Sequence, residues 1–283
     1  MRLSDDYLAL VARIRAAMPL PAVKGLYLPR PEQGSFRDEF GFVLLESGDS
    51  GAFYVSLDDT LPSLWQHYPA QQANVPLNVP LETWLDKLGA DTLAERALGL
   101  GAFNALSQYI LRRANYLPSK RQSTPRPQTS LPTIGMVGYF CPLVERLTGQ
   151  GQTVVVLEKH PERVTPHPLV QVVTTPRGLA HCSEILCTAA TLINHTLDEI
   201  LAACPHVDRF NLIGPSAGGL PDVVFARGVD AVGAISFPDQ PALLDALAQE
   251  NSWGSVGQKY EINRADYPGV EALLRAILPP AHS

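Results

Sequence analysis

A chain of 283 residues with 46% hydrophobic content can bury a substantial core, and its length favours two domains over one. Its 22 basic and 28 acidic residues leave a formal charge of −6, which argues against nucleic-acid partners, because those need a net-basic surface. No apolar run reaches the length of a membrane span, and Asp5, Asp6, Arg13 and Arg15 interrupt the first apolar pattern, unlike a signal peptide; a cytoplasmic protein without membrane contact is expected.

Residues 4–17 place Leu8, Val11, Ala12 and Ile14 at helical intervals, and strand-like runs follow at Gly25–Leu28, Phe42–Glu46 and Ala52–Leu57. Asp-Ser-Gly at 49–51 suits a hairpin turn between the last two. The four prolines of 62–80 predict irregular structure there. Helical patterns resume at Leu81–Leu88 and Thr92–Tyr116, the latter with a broad apolar stripe through Leu93, Ala97, Leu100 and Leu106. Residues 1–116 thus read as an α+β domain. A segment with prolines at 118, 125, 127 and 132 and almost no apolar residues reads as a linker over 117–132.

From 133 to 283 the pattern becomes that of a second domain, α/β and Rossmann-like, with a mostly parallel sheet. Strands are predicted at 133–138, 153–158, 170–173, 184–188, 210–214 and 231–236, and helices at 141–149, 196–204, 219–227 and 241–250. In such a fold the turns at the strand C-termini open onto one crevice, so candidate ligand residues are sought there.

The first turn, Gly135-Met-Val-Gly138-Tyr139-Phe-Cys141-Pro, joins a strand to a helix whose first amides can face an anion, and Gly138 lets a ligand approach closely. Glu158 ends the next strand, where a dinucleotide-binding fold carries an acid for ribose hydroxyls, although the full glycine fingerprint is missing. Cys141 at a helix start is placed to act as a thiolate, while packing as a small hydrophobe is its plainer role. In the third turn Thr196 and Glu199 read as a capping box, which leaves Thr191, Asn194 and His195 to project into the crevice. The fourth turn, Gly214-Pro215-Ser216-Ala217-Gly218, spells the G-x-S-x-G of a nucleophile elbow, but the only later histidine is His282, second from the end. His195 and Cys141 are the best-placed candidates for a metal, yet no zinc-binding spacing occurs. The four cysteines are few for this length, which fits reduced thiols.

Taken together, GLGAFNAL (99–106), IGMVGYFCPLVERL (134–147), LEKHP (157–161), TAATLINHTLDEIL (188–201) and LIGPSAGGLPDVVFARGVDAVGAISFPD (212–239) resemble the putative heavy-metal-chelation family of uncharacterised prokaryotic proteins. The resemblance implies an enolase N-terminal-like domain ahead of the Rossmann-like one, with a proposed active site in the cleft between them. It marks Gly138, Tyr139, Glu158, Thr191, Asn194, Pro215, Ser216 and Asp239 as cleft residues, with Asn104 reaching in from the first domain. The long Pro-rich excursion at 58–80 and histidine at 195 depart from the family pattern.

Three readings follow. The first is a protein binding a small anionic or metal-related ligand in the interdomain cleft, an enzyme or a binder, with Glu158 and Asp239 as acid, base or ligand anchor. The second is a transferase using S-adenosylmethionine or a nucleotide, and the third a serine hydrolase working through Ser216. The cofactors in view are a divalent or heavy metal ion, or S-adenosylmethionine; the partners are a small molecule and, as assembly, a homodimer.

Overall fold

The computed structural model describes residues 2–30, 39–68, 79–120, 133–249 and 253–278. It opens with helix α1 (Leu3–Ala17), whose acids Asp5 and Asp6 lie in the first turn and Arg15 in the last, matching the helix dipole. Leu3, Tyr7, Leu10, Val11 and Ile14 form its buried stripe. Strands β1 (Val23–Tyr27), β2 (Phe40–Leu45) and β3 (Ser50–Tyr54) pair antiparallel in that order.

The hairpin between β2 and β3 turns at residues 46–48, not at 49–51: Gly48 carries the positive φ of 89°, and its N–H donates to the Leu45 carbonyl. Gly51 instead lies inside β3, where a Cβ would stand 2.1 Å from the Gly101 carbonyl. Its glycine answers to the close approach of a helix, not to a turn.

Helix α2 (Thr60–His67) occupies part of the stretch expected to be irregular; Pro62 falls in its first turn, where the missing N–H has no helical acceptor to lose. Residues 69–78 of that stretch lie outside the described residues. After α3 (Leu81–Leu85) comes α4 (Leu93–Arg113), capped by Thr92, whose hydroxyl accepts the Glu95 N–H at 3.2 Å. Fourteen of its 21 residues are buried, because the helix runs against the small sheet on one side and turns of the large sheet on another.

Residues 119–120, expected in a linker, form a short strand β4 (Ser119–Lys120) on β11; residues 121–132 lie outside the described set. The chain then alternates β5 (Ile134–Val137), α5 (Cys141–Gly149), β6 (Val154–Leu157), β7 (Val170–Val173), β8 (Glu184–Thr188), α6 (Leu197–Ala203), β9 (Arg209–Ile213), α7 (Asp222–Ala226), β10 (Ala231–Ser236) and α8 (Gln240–Ala248). It ends on two elements not anticipated from sequence, β11 (Gln258–Asn263) and α9 (Val270–Ile277). In β11 only Tyr260 and Ile262 are buried, too faint an alternation to mark a strand.

Among the described residues these strands form one eight-stranded sheet in the order β4-β11-β10-β9-β8-β5-β6-β7, parallel from β10 through β7. The expected α/β class with a mostly parallel sheet and a smaller antiparallel one is what forms. The order reverses at β5: the chain moves outward from it to β6 and β7, then crosses back to β8. A doubly wound sheet binds ligands at this switch point.

The two sheets share their cores. One buried cluster joins Leu10, Ile14, Val43 and Phe53 to Leu192, Leu212, Leu220 and Val232, and a second joins Phe42, Leu44 and Ala52 to Ile235, Phe237 and Leu243. Phe42 meets Phe237 edge to face at 5.3 Å. No helix among the described residues is long and apolar enough to cross a membrane.

Candidate functional site

The parallel register brings the C-terminal ends of β5, β6, β8 and β9 to one edge: Val137 lies opposite Leu157 and Cys187, and Thr188 opposite Ile213. The turns carrying Gly138, Glu158, Asn194 and Ser216 therefore share that edge. Their side chains do not share one fate.

Gly138 lies at the switch point with φ 79°, and a Cβ there would stand 3.3 Å from Thr188 Cγ2. Any other residue would meet both the left-handed backbone and the wall of the neighbouring turn. The next three residues turn into α5, and the amides of Tyr139, Phe140 and Cys141 make no hydrogen bond among the described residues. They form a run of free donors at the N-terminus of a nine-residue helix. Thr188, across the switch point, belongs with this group and was not singled out from sequence. It was visible as a polar residue in the third turn, but only strand order sets it against Gly138.

Around this centre, the Tyr139 hydroxyl accepts the Thr165 N–H at 3.3 Å, and Cys141 Sγ donates to Glu145 Oε1 at 3.3 Å. Glu158 is half-buried after β6; its Oε1 accepts the His160 N–H at 3.1 Å. Asp239 is exposed and accepts the Ala242 N–H at 3.0 Å as the N-cap of α8.

The third turn is committed largely to itself. Thr191 is buried and its hydroxyl donates to the Thr188 carbonyl at 2.7 Å. Asn194 Oδ1 accepts both the N–H and the hydroxyl of Thr196, at 3.2 and 2.7 Å. The expected capping box is therefore not made: with its hydroxyl donating to Asn194, Thr196 makes no side-chain cap to α6. His195 sits between them at φ 59°, exposed. Desolvation and the nearby Arg96 guanidinium hold its imidazole below the usual pKa, favouring the neutral form.

The fourth turn is sealed against the small sheet and α4. Ser216 is 1% exposed, and its Oγ accepts the Tyr54 N–H at 2.8 Å. Asn104 Nδ2 donates to the Ser216 carbonyl at 3.0 Å and to the Ala52 carbonyl at 2.8 Å. Gln108 donates to the Gly218 carbonyl at 2.6 Å, and the Leu220 N–H donates to Ser107 Oγ at 2.9 Å. The spacing of a nucleophile elbow is met and its geometry is not, because that serine must stand exposed on a strained turn. Here the left-handed residue is Gly214, at φ 123°. Tyr54, Ser107 and Gln108 had no local signal, since each acts on a turn more than a hundred residues away.

Among the described residues no group of three or more His, Cys, Asp and Glu side chains could hold a metal ion. Among the described residues neither Cys141 nor His195 belongs to such a group. The remaining thiols are core residues: burial pushes Cys187 up to about 12 and Cys182 up to about 11, away from the metal-binding thiolate.

The comparisons with known proteins agree with this fold. An uncharacterised protein of Methanocaldococcus jannaschii, MJ0500, is 26% identical over 209 residues, which span 72% of this chain and 78% of that protein. A solved structure of a DUF364-family protein of unknown function from Desulfitobacterium hafniense aligns with TM-score 0.66 at 18% identity, covering 93% of this chain and 98% of that one. A second, from Pyrococcus horikoshii, aligns with TM-score 0.59 at 20% identity and the same coverage. At these identities the likeness is one of fold. Residues 124–265, just over half of the chain, match the family described as putative heavy-metal chelation. The chain belongs to this family, DUF364.

Proposed function

We propose that the protein binds a small anionic compound at the switch point between β5 and β8, within metal or metal-chelator metabolism as the family's description indicates. The observation that carries this reading is the run of free amides at Tyr139, Phe140 and Cys141 beside Gly138, donors at a helix N-terminus where a negative group is stabilised. Gly138 and Thr188 form the floor, and Glu158 and Asn194 stand on the flanking turns. Among the described residues the donor set does not fit a metal held by protein side chains alone, so the reading takes the anion itself as the occupant. Thermal-shift and calorimetric titration with inorganic phosphate, citrate and other small polycarboxylates test it. Stabilisation that disappears in Gly138→Val supports the reading; no response to any of these anions sinks it.

A second reading, an S-adenosylmethionine- or nucleotide-dependent transferase, is favoured by one feature. Glu158 follows the strand next to β5, the position from which an acid meets a ribose, and only its Oε1 is engaged. Stabilisation by adenosine compounds, lost in Glu158→Ala, would select it over the first.

A further inference from the structure

Where α1, α4 and the turn after β9 meet, the fold forms a small, partly open cavity of about 10 Å³, lined by Tyr7, Asn104, Leu192, Ala217, Gly219 and Leu220 among others. One buried polar atom in this apolar wall, Asn104 Oδ1, lacks a partner, and the Tyr7 hydroxyl stands in the same wall. Asn104 is 1% exposed and spends its Nδ2 on the Ala52 and Ser216 carbonyls. That fixes the amide's orientation, since the flipped form would set its oxygen against two carbonyl oxygens. Oδ1 is then a buried acceptor with no donor among the described residues. Tyr7 is 4% exposed, its ring held edge to face on Phe103 at 5.0 Å, and its hydroxyl makes no hydrogen bond among the described residues. Burial raises the pKa of that hydroxyl, so it stays a donor.

A buried acceptor left without a hydrogen bond is unfavourable, and a cavity holds a water when it offers about 10–15 Å³ and at least two polar partners. We propose that this cavity is a built-in site for one water molecule, which donates to Asn104 Oδ1 and accepts from the Tyr7 hydroxyl. The water completes the seam by linking α1 to α4 behind the Ser216 turn. This inference is independent of the anion site.

A near-atomic crystal structure of the full chain tests it, together with a xenon-pressurised crystal. The expected result is a single density peak within hydrogen-bond distance of both Asn104 Oδ1 and the Tyr7 hydroxyl, with no xenon at that position. In Tyr7→Phe, which keeps the packing and removes one partner, the peak should fall to less than half occupancy. Absence of the peak in the wild type, xenon in its place, or an unchanged peak in Tyr7→Phe would overturn the proposal. If the variant does not crystallise, water–protein cross-relaxation at the Asn104 side-chain amide in the wild type decides: a long-lived water signal upholds the site and none removes it.

Discussion

Asn104 Nδ2 donates to the Ser216 carbonyl at 3.0 Å, joining the middle of α4 to a turn 112 residues later. The same nitrogen donates to Ala52 in β3, so one side chain ties the small sheet, the long helix and the large sheet together. We expect Asn104→Ala to leave two buried carbonyls unpaired and to destabilise the fold by about 3 kcal/mol. Urea denaturation measures this, and a loss under about 0.5 kcal/mol would show that the contact is incidental.

Ser216 should be inert. A fluorophosphonate probe is expected to leave the folded protein unlabelled, while Ser216→Ala lowers stability by about 1 kcal/mol through the lost Tyr54 bond. Stoichiometric labelling that vanishes in Ser216→Ala would restore the hydrolase reading.

Gly51→Ala places a methyl 2.1 Å from the Gly101 carbonyl, a backbone atom that cannot swing away. The strand must retreat from α4, at a cost of about 3 kcal/mol or more. A melting temperature equal to wild type would mean that β3 and α4 are not in this contact.

Thiol reactivity should divide the cysteines. Near pH 8 the folded protein should react with an aromatic disulfide reagent at one position, Cys141, which is partly exposed, and at all four after unfolding. Rapid modification of Cys187 in the native state would contradict its burial.

The same burial sets an alkaline limit. Cys187 rises from the ordinary thiol value of 9.0 to about 12 in the fold, so between those values the unfolded chain releases a proton that the folded chain retains. Its contribution is complete below pH 9.0 and is lost as pH rises towards about 12. Comparing denaturation midpoints at pH 8 and pH 10.5, Cys187→Ala should show a smaller drop than wild type; equal drops would refute the assignment.

The parallel strands were legible because each is a short apolar run bounded by turn residues, and β7, β8 and β10 form over the predicted residues. The hairpin turn lies three residues before the expected one because Gly51 looks like a turn glycine and serves packing. Thr196 and Glu199 satisfy the spacing of a capping box, yet the Asn194 side-chain oxygen Oδ1 two residues earlier competes for the hydroxyl. The helix after the fourth turn starts at Asp222 rather than 219, because Gly218 and Leu220 are held by α4.

The α/β class, the alternation of elements and the turns that gather at one sheet edge are readable from the residues alone, since hydrophobic period and turn chemistry are local properties. Which of those turns stay open follows from long-range packing. Gly138, Glu158 and the amides entering α5 keep access to solvent or free donors, whereas Ser216 and Asn104 bond each other inside a packed seam. The reason is that burial depends on which distant surface arrives: a motif's spacing fixes where a side chain begins, and the helix that packs over it fixes whether it can ever meet a ligand.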